Sequence, residues 1–186
     1  AVGNGSVFFE PQDPNQDLFI VNGANGRLQG VAIRNVTGAS AIHVAMASTV
    51  AAFDFITIQN CKIPIRVISS ASPSQAIFRN LRVIAGSTTE RFIDIQATAG
   101  QDAIVRIYSA ILTDDNGTAL IDGIRVTGTK ARIDPNTLLM RSTVGMGNGI
   151  LVADGGHIEL STGCEVVGFN KNLVFPAGGV APNGII

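Results

Sequence analysis

The sequence predicts an all-β chain wound as a solenoid, a parallel β-helix of about seven coils with about 23 to 25 residues each. Three observations predict it. Val31-Ala32-Ile33-Arg34-Asn35 is echoed by Ile56-Thr57-Ile58-Gln59-Asn60, and Leu81-Arg82-Val83 follows at the same spacing. Near the C-terminus, Gly149-Ile150-Leu151-Val152-Ala153-Asp154-Gly155-Gly156 is echoed, at a slightly shorter spacing, by Asn172-Leu173-Val174-Phe175-Pro176-Ala177-Gly178-Gly179. The composition agrees: of 186 residues 46% are hydrophobic, only 5% aromatic and 15% charged, with Val, Ile and Ala supplying the apolar surface and 21 Gly punctuating it. β-Branched residues at alternate positions favour strands, and the glycines mark corners. A β-sandwich would also use short strands but gives no reason for the sequence to echo itself. Leucine-rich, ankyrin and tetratricopeptide repeats would need helical halves that are missing here.

Along the chain, residues 1–17 read as an N-terminal extension or cap, and the coils run from 18 to 186. Between members of the first repeat series lies a second: Ile42-His43-Val44-Ala45-Met46, Ile63-Pro64-Ile65-Arg66-Val67 and Phe92-Ile93-Asp94-Ile95. Each alternates with period two, which places Ile65 and Val67 inward and Arg66 and Asp94 outward. Thr37-Gly38-Ala39-Ser40, Ser69-Ser70-Ala71-Ser72-Pro73 and Gly86-Ser87-Thr88-Thr89 separate them as turns. Residues 39–63 hold neither Gly nor Pro and are rich in Ala, so a short helix is an alternative there. Residues 74–81 offer another, with Ser74 as N-cap and Ile77, Phe78 and Leu81 on one face. Gly145-Met146-Gly147-Asn148-Gly149 lacks the Lys-Ser/Thr of a phosphate loop and precedes a strand-like run, so it reads as a tight turn. The chain opens without Met or a secretory signal and closes Val180-Ala181-Pro182-Asn183-Gly184-Ile185-Ile186 without a polar cap. A section of a longer chain is expected.

The run Gly30-Val31-Ala32-Ile33-Arg34-Asn35-Val36 followed by Phe55-Ile56-Thr57-Ile58-Gln59-Asn60-Cys61 resembles the strand-then-Asn coil of the right-handed parallel β-helix superfamily, which includes pectate-lyase-like enzymes and viral tailspikes. Gly149 to Gly156 followed by His157-Ile158-Glu159-Leu160 resembles its Gly-Gly corner. The resemblance implies an architecture, in which Asn35 and Asn60 stack as a turn ladder. It also implies two kinds of function. One is a structural protein of a virus or phage particle (tailspike, fibre or minor capsid component) acting by assembly and surface or glycan binding. The other is a polysaccharide lyase or hydrolase, and a bacterial surface adhesin is a third reading.

An enzyme on this scaffold would use two carboxylates on an outer face. Asp114-Asp115 is the adjacent pair, and it is a weak candidate because neighbours on a strand point to opposite faces. Asn116-Gly117 after it supplies turn chemistry. Polygalacturonase-like proteins resembling this chain also carry Asn-Thr-Asp, Gly-His-Gly and Arg-Ile-Lys segments; none of these occurs here, and Gly155-Gly156-His157 is not Gly-His-Gly. His43 and His157 stand far apart in the chain with no nucleophile motif beside either. No metal or other cofactor is expected. Arg34, Arg66, Arg82, Arg106 and Arg125 occupy polar positions of alternating strands. The first four are candidates for binding an acidic glycan or a partner's carboxylates, against simple pairing with Asp94 or Asp122.

With 13 Lys+Arg against 14 Asp+Glu the net charge is −1, which argues against a nucleic-acid surface. The longest stretch without a charged residue, 35–53, is broken by Thr37, Gly38, Ser40, His43, Ser48 and Thr49 and is a poor membrane span. Cys61 and Cys164 are too few for a disulfide framework and read as buried thiols. The partners expected are further copies of the chain, a trimer among the options, other virion proteins or a polysaccharide. The place expected is a virion or an extracellular surface.

Overall fold

A computed structural model describes residues 8–22, 26–45, 50–70, 72–98, 100–115, 120–145 and 147–176. These form a parallel β-solenoid: every strand pairing is parallel, and no described residue is helical. Each coil contributes to three faces. The first face stacks β2 (Phe19–Asn22), β5 (Ser40–Ala45), β7 (Ile63–Ser69), β9 (Ile93–Ala97), β12 (Asp122–Thr127), β15 (Asn148–Ala153) and β18 (Lys171–Val174). The second stacks β3 (Arg27–Gln29), the first halves of β6 (Val50–Gln59) and β8 (Ser74–Ile84), then β10 (Ala103–Ile107), β13 (Ala131–Pro135) and β16 (His157–Ile158). The third stacks β1 (Phe8–Phe9), β4 (Ala32–Arg34), the second halves of β6 and β8, β11 (Ala110–Asp114), β14 (Thr137–Ser142) and β17 (Gly163–Val167).

Six complete coils result, flanked by β1 and β18, close to the seven expected. Pairing already begins at Phe8, inside the segment read as an extension or cap. Residues 1–7 of that segment and the closing run 177–186 with its second Gly-Gly pair lie outside the described residues. Both sequence echoes are strand registers: Ala32 lies beside Thr57 and Thr57 beside Arg82, and Ile150 lies beside Leu173. Coils in the middle are longer than the echoes suggest, with Ile65 beside Ile93 and Ile93 beside Ile124. Corners can bulge into solvent without disturbing the strands they join, so the repeat length drifts where the register does not.

The interior is a set of apolar columns, all buried. One runs Ile42, Ile65, Ile93, Ile124 and Ile150; another runs Phe53, Phe78 and Ile107. Both helix alternatives are replaced by strands. In residues 39–63, Ile42, Val44, Ala51, Phe53, Ile56 and Ile58 are buried, and burying them between coils outweighs the small helical preference of Ala. Ser74 caps no helix; its hydroxyl donates to the Ile68 carbonyl across a corner. At the corner between second and third faces β6 and β8 bend through Phe55 and Asn80, at φ 56° and 57° in line with Gly30 at 68°. That left-handed turn suits Gly and Asn; a phenylalanine adopts it only where the neighbouring coils hold it.

Candidate functional site

The outer faces carry the polar chemistry, and stacking at about 4.8 Å per coil brings residues far apart in sequence into contact. On the first face one column reads Ile20, His43, Arg66, Asp94, Arg125 and Leu151. Asp94 is buried and accepts from Arg125 Nε at 3.0 Å and Gln96 Nε2 at 2.8 Å, with Arg66 Nε 4.0 Å away. Asp122 accepts from Asn148 Nδ2 at 3.0 Å and lies 3.5 Å from Arg91 Nε. On the second face Asp54 accepts from Arg27 Nη2 at 2.9 Å and Arg79 Nη1 at 3.2 Å, and the Arg79 guanidinium lies 5.2 Å from the Tyr108 ring centre. Asp134 takes Arg132, with Arg106 3.9 Å away, and Arg132 also bonds Glu159.

The arginines named from sequence therefore separate. Arg34 bonds Glu10 and lies 4.8 Å over the Phe8 ring, Arg66 faces Asp94, and Arg106 faces Asp134. Of these named arginines only Arg82 is exposed with no ion-pair partner among the described residues; Arg141, not among them, is exposed and unpaired as well. Asn35 and Asn60, both at positive φ, stack in adjacent coils: Asn60 Nδ2 donates to Asn35 Oδ1 at 2.8 Å and Asn35 Nδ2 to Glu10 Oε1 at 2.9 Å. Left-handed backbone turns their amides along the solenoid axis, where the next coil supplies the partner.

Asp114 and Asp115 are split by the strand. Asp114 is buried and accepts from Ser142 Oγ at 3.2 Å, while Asp115 is exposed. The turn residues 116–117 lie outside the described residues. His43 Nδ1 sits 2.6 Å from Asp17 Oδ2 on the first face, and His157 lines a groove of about 410 Å³ with Asp102, Lys130 and Arg132. Cys61 is buried and Cys164 half-buried, both as free thiols, and burial pushes the Cys61 thiol up to about 11. Among the described residues no three His, Cys, Asp or Glu side chains gather to hold a metal ion, and no helix is long and apolar enough to cross a membrane.

No family model, curated protein or solved structure matches this chain. Its chemistry is therefore read from the columns alone. Sequence reasoning missed the Arg27, Asp54 and Arg79 cluster, although both arginines stand about one repeat from Asp54. It also missed the exposed corner of Phe55 and Tyr108, 60% and 47% accessible.

Two carboxylates tie this surface to pH. Burial raises the Asp54 carboxyl, but hydrogen bonds and charge from Arg79 and Arg27 outweigh it and hold the group below the ordinary 3.8. Burial likewise raises Asp17, and the Ser40 amide and His43 outweigh it. Because the folded chain binds these protons less tightly than the unfolded chain, acid favours unfolding. Both contributions are whole well above pH 3.8 and are lost as pH falls through and below it. Urea midpoints measured from about pH 5.5 to 3 should fall, and less steeply in Asp17→Asn/Asp54→Asn. An equal slope in that variant would contradict the assignment.

Proposed function

We propose that this chain is a non-enzymatic structural element of a virus or phage particle, such as a tailspike, fibre or minor capsid component, that works by assembly and surface binding. One observation carries the non-enzymatic part. The buried carboxylates Asp54, Asp94 and Asp122 are each taken up by arginine or amide donors. A general acid needs a carboxyl that keeps its proton near neutral pH, and Asp54 is moved the other way. The particle assignment rests on the resemblance of the Gly30 and Phe55 coils to viral β-helices, an argument from architecture.

Particles banded from the source organism and quantified by mass spectrometry should contain the chain at fixed stoichiometry; its absence from them would sink the particle assignment. Incubation with acidic and neutral polysaccharides should release no new ends. Turnover abolished by Asp114→Ala or Asp115→Ala would replace this reading with a depolymerase.

A further inference from the structure

On the outer surface of the third face, one column has charges at its two ends that form no ion pair among the described residues. Arg82 in β8 pairs in register with Ile111 in β11, Ile111 with Leu139 in β14, and Leu139 with Glu165 in β17. The column thus reads positive, apolar, apolar, negative over four consecutive coils, about 14 Å from end to end. Ile111 is 46% accessible, Arg82 and Glu165 are exposed, and Leu139 is half-buried. Among the described residues neither Arg82 nor Glu165 has an ion-pair partner, and nor does exposed Arg141, two residues beyond Leu139 on β14, whereas Arg34, Arg66, Arg79, Arg106, Arg125 and Arg132 all do.

This order of residues is complementary to itself when reversed. A two-fold axis lying in the plane of contact and running along the strands, level with the gap between Ile111 and Leu139, sets Ile111 against the partner's Leu139 and Arg82 against the partner's Glu165, and repeats both contacts by symmetry. Two apolar contacts at the centre with an ion pair at each end is the arrangement of a protein contact, an apolar core within a polar rim. A parallel side-by-side arrangement at equal height would instead set Arg82 against Arg82 and Glu165 against Glu165, which like charge disfavours. We propose that a second copy of this chain docks here, antiparallel, through the column Arg82, Ile111, Leu139 and Glu165. The contact specifies the partner within the assembly reading above, on which it rests.

The face is narrow, so the dimer belongs to the weak class that forms at micromolar concentration. Sedimentation velocity of the purified chain up to about 100 μM should show a rise from 19.3 kDa toward twice that mass, weakening as salt is added. Arg82→Glu and Glu165→Arg each place like charges opposite one another and should weaken association about ten-fold or more, whereas Arg82→Glu/Glu165→Arg restores it. Arg82 and Glu165 are exposed, and unchanged circular dichroism and melting will show that the variants fold. A monomer at every concentration, a trimer, or a dimer indifferent to both single swaps would overturn the proposal. Particle association is read separately, so failure here leaves that result standing.

Discussion

Phe78→Ala is expected to destabilise the solenoid by about 3–5 kcal/mol. Phe78 is fully buried, and its ring stacks on Phe53 at 4.8 Å between centres with 11° between planes. Part of the loss is the transfer energy of the ring, and part is the cavity left behind. The cavity term should be near its upper range here. Hydrogen bonds to β6 on one side and β10 on the other fix the spacing of the coils, so neighbours cannot close over the gap. Phe78→Leu keeps most of the volume and should cost no more than about 1.5 kcal/mol. Urea unfolding followed by circular dichroism checks both. A Phe78→Ala cost below that of Phe78→Leu would mean that this column is not what holds the middle coils together.

Gly128→Ala is expected to cost about 3 kcal/mol or more, through the backbone and not the core. Gly128 lies at φ 102°, in the corner between β12 and β13, and its carbonyl accepts the Ala131 amide at 2.8 Å. A β-carbon there meets the Ala97 carbonyl of the coil before, a backbone atom that cannot swing aside. Gly100 provides the control. It has φ 71° with open space around it, so Gly100→Ala carries only the left-handed strain, about 1–2 kcal/mol. Comparable melting shifts for the two variants would show that the clash with Ala97 is relieved by movement of the corner.

Much of the architecture was legible because a solenoid writes its geometry into one dimension. Val31, Ile56 and Leu81 recur at even spacing because each lies directly over the last, and any other spacing would break an apolar column. Period-two alternation put Arg66 and Asp94 on the outer side of the sheet for the same reason, since the opposite register would turn both charges into the apolar interior, away from the donors and acceptors of the neighbouring coils. The Ala-rich stretch before Ile56 was ambiguous because local preference is a matter of tenths of a kcal/mol. Burial of Phe53 against Phe78 from the next coil settles it.

The candidate site was less legible. Arg82, Ile111, Leu139 and Glu165 are spaced unevenly along the chain, too irregularly to register as an echo, because corners of different length intervene. The cluster around Asp54 depended on knowing which two arginines lie above and below it.

By itself, then, the sequence determined that the chain is all-β, that it repeats, and which side chains face in or out, since apolar periodicity is a local property. Only the tertiary structure decided how many coils there are, which outer charges neutralise one another, and which column is left open. Those depend on the vertical neighbours that variable corners bring together, and no spacing along the chain specifies them.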